Sequence, residues 1–159
     1  MRYAGIIKND MSAAPGVSVS FFVQGCPHRC KGCHNAETWD FNKGKEFSID
    51  TIYEIIEALQ ANGIQRSLAI MGGEPMCEEN TFLTNLVICE VKKRLPDIKV
   101  YLWTGYYYEQ LLQLHDPRVK QILEQVDVLI DGPYVESLRD ITLPMRGSSN
   151  QSVIDLTKK

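Results

Sequence analysis

Apolar and polar residues alternate over residues 17–23, where Val17, Val19, Phe21 and Val23 fall on one face, and this period of two predicts a strand. From residue 50 to about 61 the apolar spacing changes to three and four. Ile52, Ile55, Ile56 and Leu59 then make one stripe of a helix, with Ser48 or Asp50 as N-cap and Gly63 placed to end it. Residues 67–71 are a short apolar run, the pattern of a strand covered on both faces. A second helix is predicted over 79–95, with Leu83, Leu86, Val87, Val91 and Leu95 facing inward and Pro96 beyond its end. Strands follow at 99–103 and 126–130, separated by one or two short helices that Pro117 interrupts. Residues 1–16 read as a strand or arm with a turn at Pro15-Gly16. The tail from Glu136 is polar, Ser-rich around 148–152, and carries no periodic signal.

Strand–helix repetition implies right-handed crossovers and a parallel sheet. Four such strands are too few for a closed eight-stranded barrel, which takes about 250 residues. The expected fold class is therefore α/β, an open partial (β/α) barrel of mostly parallel strands. It forms one domain over 1–159, with a core at about 15–135 and a tail at 136–159. Sheets of this kind place their ligands past the C-terminal ends of the strands. Cys26–Cys33, Gly72–Pro75, Thr104-Gly105 and Asp131-Gly132 all fall at such ends.

Composition narrows the function classes. Hydrophobic residues at 44% and charged residues at 23% are ordinary for a globular domain. Lys and Arg number 17 against 20 Asp and Glu, so no positive excess points to nucleic acid. No apolar run approaches the roughly 20 residues that span a bilayer, and the N-terminus lacks the apolar stretch of a signal peptide. An odd set of five cysteines, three of them clustered, fits metal ligation better than disulfides. The expectation is a cytoplasmic protein with no nucleic-acid or membrane partner.

The chemistry concentrates in Gly25-Cys26-Pro27-His28-Arg29-Cys30-Lys31-Gly32-Cys33-His34-Asn35. Its C-x3-C-x2-C spacing can hold an iron–sulfur cluster, and because a 4Fe–4S cube ordinarily takes four thiolates, three leave one iron open to substrate. A structural zinc site with His28 or His34 as fourth ligand is the competing reading of the same residues. Cys77 and Cys89 lie far along the chain, complete no second C-x-x-C pair, and read as small buried apolar residues.

This motif, together with Gly72-Gly73-Glu74-Pro75, resembles the radical S-adenosylmethionine superfamily. Cys33-His34-Asn35 and Glu37-Thr38-Trp39 resemble the small activases that install glycyl radicals. The runs Tyr101-Leu102-Trp103-Thr104-Gly105-Tyr106, Asp131-Gly132-Pro133 and Arg146-Gly147-Ser148-Ser149-Asn150-Gln151 are similar to those of the activases that serve anaerobic (class III) ribonucleotide reductases. The likeness covers about residues 15–154. It departs at Ala14-Pro15-Gly16-Val17-Ser18, where the activases often carry Gly-Pro-Gly-x-Arg.

The resemblance implies a 4Fe–4S cluster on Cys26, Cys30 and Cys33, with S-adenosylmethionine on the open iron. It implies reductive cleavage of that cofactor and hydrogen abstraction from a glycine of the reductase large subunit, with an electron donor such as flavodoxin. Gly72, Gly73 and Glu74 are expected at the amino end of the cofactor, in contact with it and not with the cluster. Gly32 stands where many members of the superfamily carry an aromatic residue, so the backbone around Gly32, Cys33 and His34 is expected beside the adenine. Thr104 and Asp131 are candidates for the ribose or the carboxylate end; Asp131 has competing roles in holding a monovalent cation or in an Asx-turn with Gly132-Pro133. Residues 146–151 are expected on a surface for the reductase. The rival readings are an activase of another glycyl radical enzyme, such as pyruvate formate-lyase, or a plain iron–sulfur electron carrier or zinc-binding module.

Overall fold

The computed structural model describes residues 1–157, so the last two residues of the expected domain, 158 and 159, lie outside the described residues. Its centre is a seven-stranded mixed sheet in the order β3-β1-β2-β4-β5-β6-β7. The strands are β1 (Arg2–Asp10), β2 (Ser18–Val23), β3 (Lys45–Glu46), β4 (Ser67–Gly72), β5 (Val100–Trp103), β6 (Val128–Asp131) and β7 (Ser152–Asp155). The helices are α1 (Ile49–Gln60), α2 (Glu78–Arg94), α3 (Tyr108–Gln113) and α4 (Pro117–Gln125).

The four strands expected from periodicity, β2, β4, β5 and β6, are parallel neighbours in chain order. Right-handed crossovers that always step the same way put every connecting helix on one face. That face carries the main core. Val19, Phe21 and Val23 of β2, Leu68 and Ile70 of β4, Val100 and Leu102 of β5 and Leu129 of β6 pack there against Ile52, Ile55, Ile56 and Leu59 of α1. Leu83, Val87, Ile88 and Val91 of α2 and Val119 and Ile122 of α4 complete it. Ser48 is the N-cap of α1, in a reciprocal box with Thr51.

Three pairings are antiparallel and were not legible from the pattern: β3 with β1, β1 with β2, and β6 with β7. They add an edge on each side of the parallel unit, and β7 gives the tail an element where none was expected. The opposite face of the sheet is smaller and more polar. Ala14 covers Tyr101, Val128 and Ile130 there, with Trp103, Met145 and Val153 around them. The Trp103 indole donates to the Met145 carbonyl at 2.7 Å and so pins the tail to that face.

Next to this cluster, Ser18 and Ser67 hydroxyls share a hydrogen bond at 2.9 Å, and buried Asp10 accepts from Ser20 at 2.7 Å. Burial alone would raise the Asp10 carboxyl, but hydrogen bonds from Ser20, Ser12 and the Ala13 amide outweigh it and hold the group below its ordinary value. A depressed carboxyl stabilises the fold above its unfolded pKa, and that contribution is lost as pH falls through the folded value. Ser20→Ala is therefore expected to cost about 1 kcal/mol at neutral pH. The gap to the parent should shrink below about pH 4 as Asp10 protonates. Urea midpoints at both pH values check it, and an equal gap at both would contradict the assignment.

Candidate functional site

Past the C-terminal ends of β2, β4, β5 and β6, four turns meet on one rim, and Glu74 is the residue that joins three of them. Its side chain is 1% exposed. Oε2 accepts from the Met76 amide at 2.8 Å and the Thr104 hydroxyl at 2.7 Å. Oε1 accepts from the Gly105 amide at 2.6 Å and lies 2.7 Å from His28 Nε2. A buried carboxylate is tolerated only when its acceptor sites are filled, and here four partners fill them. Glu74 thereby ties its own turn to the β5 exit and to the cysteine loop.

The glycines before it permit the contact. The Gly73 amide donates to the Val23 carbonyl at 3.1 Å and the Glu74 amide to the Gly25 carbonyl at 2.8 Å. A Cβ on Gly73 would be driven into that same Gly25 carbonyl, so only glycine lets the two turns touch. Buried Asn80 closes the junction from α2, its side-chain amide within 3.3 Å of the carbonyls of Gln24, Gly25 and Glu74. The Gly72–Pro75 turn is therefore not separate from the cysteine loop, as its place after another strand suggested. It is the floor on which that loop begins.

The loop leaves β2 with the Gly25 and Cys26 amides donating to the carbonyls of Thr38 and Trp39. Arg29 takes a left-handed conformation at φ 50°, and its guanidinium lies over the Trp39 ring. Cys26 is buried, Cys30 and Cys33 are half-buried, and all three are free thiols. They do not converge on one point: among the described residues no three His, Cys, Asp or Glu side chains are gathered as for a single metal ion.

Burial pushes the Cys26 thiol up, with Glu74 and Cys30 adding to the rise and the backbone amides of His28 and Arg29 opposing it. Burial also raises Cys30, opposed by the Tyr134 amide and reinforced by Cys33. Three neighbouring soft donors, each influencing the next, suit an iron–sulfur cluster. Uptake must displace protons from at least Cys26 and Cys30. His28 Nε2 is committed to Glu74. Cys77, buried as the N-cap of α2, is pushed by burial up to about 12. Cys89 is half-buried on a polar seam, 3.5 Å from both Asn85 and Gln125, rather than in the apolar core.

Gly32 is left-handed at φ 79°, and a Cβ there would stand 2.9 Å from the Glu136 carboxyl and 3.3 Å from Tyr134. The left-handed backbone, more than space, disfavours an aromatic residue there, because the nearest atom belongs to the exposed, flexible Glu136 side chain. His34 is exposed, with the Tyr134 ring 5.7 Å from its own. Thr104 is buried and donates to Glu74. Asp131 is also buried, but its oxygens accept from the amides of Tyr108 at 2.8 Å and Ser152 at 3.1 Å. It anchors α3 and β7, and forms no Asx-turn with Pro133, which has no amide hydrogen to give.

The family model described as a 4Fe-4S single cluster domain matches residues 13–154. An anaerobic ribonucleoside-triphosphate reductase-activating protein of Enterobacteria phage T4 is 38% identical over 151 residues, covering 95% of this chain and 92% of that protein. The chain belongs to the anaerobic ribonucleoside-triphosphate reductase-activating protein family. Members from Vibrio cholerae and Escherichia coli K12 are 34% and 32% identical over 154 residues, each match covering 96% of this chain and 97% of the relative.

The family assignment makes the chain an iron–sulfur protein. As a member of the reductase-activating protein family it carries a tail that is largely self-engaged. Arg146 donates to the Gln151 carbonyl at 3.1 Å, and Gln151 Oε1 accepts from the amides of Gly147 and Ser148. The Gln151 amide group donates to the Gly132 carbonyl, and Asn150 donates to the carbonyl of Pro133. Residues 146–151 are a knot that closes the rim beside Asp131, with Arg146 Nε and Asn150 Oδ1 left buried without a hydrogen-bond partner. The reductase-activating protein family is matched over nearly all of this chain, so the knot and the rim lie within the shared part.

Proposed function

We propose that the chain activates an anaerobic ribonucleoside-triphosphate reductase by generating a glycyl radical on its large subunit. The observation that carries the reading is the joining of the three-cysteine loop to the Gly72–Glu74 turn through Glu74. Near-full-length likeness to proteins named for that activity supports it.

Cys26, Cys30 and Cys33 would hold the cluster, and the rim beside them would receive S-adenosylmethionine. Bound there, the two groups would supply the chemistry: one electron from the reduced cluster would open the sulfonium to methionine and a 5′-deoxyadenosyl radical, which would take a hydrogen atom from the target glycine. The electron comes from an external donor, for which flavodoxin is the family expectation. The chain's own residues align and exclude. The backbone of Gly72 and Gly73 would offer carbonyls to the cofactor's ammonium, and Glu74 fixes that backbone by holding Thr104, Gly105 and His28. The sheet with all its crossover helices on one face acts as an open partial barrel. Its uncovered side is closed by the reductase, whose glycine loop is the substrate.

Anaerobic reconstitution with iron and sulfide, reduction, and addition of the reductase tests the reading. The expected result is 5′-deoxyadenosine release with a glycyl radical signal on the reductase in electron paramagnetic resonance. A cluster that carries electrons but releases no 5′-deoxyadenosine would overturn it in favour of an electron carrier.

A further inference from the structure

His28 sits between two cysteines of the loop, and its ring meets Glu74, with Nε2 2.7 Å from Oε1. The ring is wedged: Tyr106 meets it edge-on at 4.6 Å between centroids. A second observation is independent of the hydrogen bond. A Cβ on Gly105 would stand 2.5 Å from the His28 ring, although the Gly105 backbone is in a conformation open to any residue. The glycine is therefore required by the histidine and not by its own turn. Through Glu74 and Gly105, His28 is the one side chain of the cysteine loop fastened to the β4 and β5 exits.

We propose that His28 is a positioning residue, a latch that sets the cysteine loop at a fixed distance from the Gly72–Glu74 turn. The inference rests on the reading of those two elements as cluster loop and cofactor turn. A cofactor spanning both makes good contacts only if the two keep one spacing, so the latch should act on cofactor affinity more than on iron content. Loss of a hydrogen bond to an ionisable partner is of a size that changes an equilibrium about tenfold.

The test has two arms on the full chain. In metal-free, reduced protein, iodoacetamide labelling mapped to each cysteine should show Cys26 reacting about tenfold faster in both His28→Ala and Gly105→Ala, with Cys89 unchanged. Because the three atoms nearest the alanine methyl of Gly105→Ala all belong to the ring, it should add little in a His28→Ala background. His28→Gln, which keeps a donor, should restore part of the protection. In the reconstituted protein, His28→Ala should retain iron yet bind S-adenosylmethionine about tenfold more weakly. It should also lose the spectral change that the cofactor causes in the reduced cluster. Equal acceleration at Cys89, additive effects of the two substitutions, or unchanged cofactor affinity would each overturn the latch. Failure of the parent chain to bind S-adenosylmethionine would overturn the proposed function instead, leaving the labelling arm to judge the latch.

Discussion

An alanine at Cys30 is expected to leave the chain folded but unable to hold a four-iron cluster, with iron and sulfide falling to a small fraction of the parent. Cys30 is half-buried on a loop whose anchors are the amides of Gly25 and Cys26 and the side chain of His28, so its sulfur contributes little to the fold. Cys26→Ala and Cys33→Ala should behave alike, because a cube with only three protein ligands has none to spare. Cys77→Ala and Cys89→Ala should keep full iron content. Their cost should appear in stability alone, since the buried Cys77 thiol donates to the Glu74 carbonyl and Cys89 lies on the seam between α2 and α4. Iron and sulfide analysis after anaerobic reconstitution decides the matter. A full cube in the Cys30 variant would remove the ligand assignment.

Glu74→Ala is expected to have the largest effect on stability of any single change at the rim. It leaves the Met76 and Gly105 amides, the Thr104 hydroxyl and His28 without their acceptor at once. Removing one member of a buried, hydrogen-bonded charged network costs about 3–5 kcal/mol. For a domain of this size that lowers the melting temperature by roughly 10 °C. Cofactor binding and iron uptake should fall together, because the turn and the loop share the Gly25–Glu74 junction. Glu74→Gln, which retains an acceptor oxygen, should lose less. A Glu74→Ala protein as stable as its parent would mean that water replaces the carboxylate. The residue would then be a cofactor contact and not a structural hub.

The parallel part of the fold was legible because burial writes itself into spacing: Ile52, Ile55, Ile56 and Leu59 are all core residues, as their stripe required. The rim was legible for a related reason, since crossover chirality fixes which strand ends lie together. What escaped is held by side chains reaching across the chain. β7 is partly exposed and short, and its pairing depends on Asp131 accepting from Ser152 and on Gln151 reaching Gly132. No local period reports such contacts. The same holds for His28 and Glu74, which stand 46 residues apart. The one available signal was chemical: a buried Glu74 must find donors, and His28 in the cysteine loop, expected only as a possible zinc ligand, was among the few at hand. The run 146–151 carried the family likeness in its residue types, but its fold, a knot around Gln151, leaves no periodic trace.

The order in which the strands pair also bears on how the protein is made. β2, β4, β5 and β6 join in the sequence in which they leave the ribosome, so the sheet can be laid down as translation proceeds. The thiols of the loop emerge by Cys33, whereas the Thr104-Gly105 turn that locks Glu74 follows about 70 residues later. At a synthesis rate of roughly 5–20 residues per second, the nascent chain presents three unlatched cysteines for several seconds before their floor is complete. The metal therefore meets a finished cradle only after most of the chain has left the tunnel.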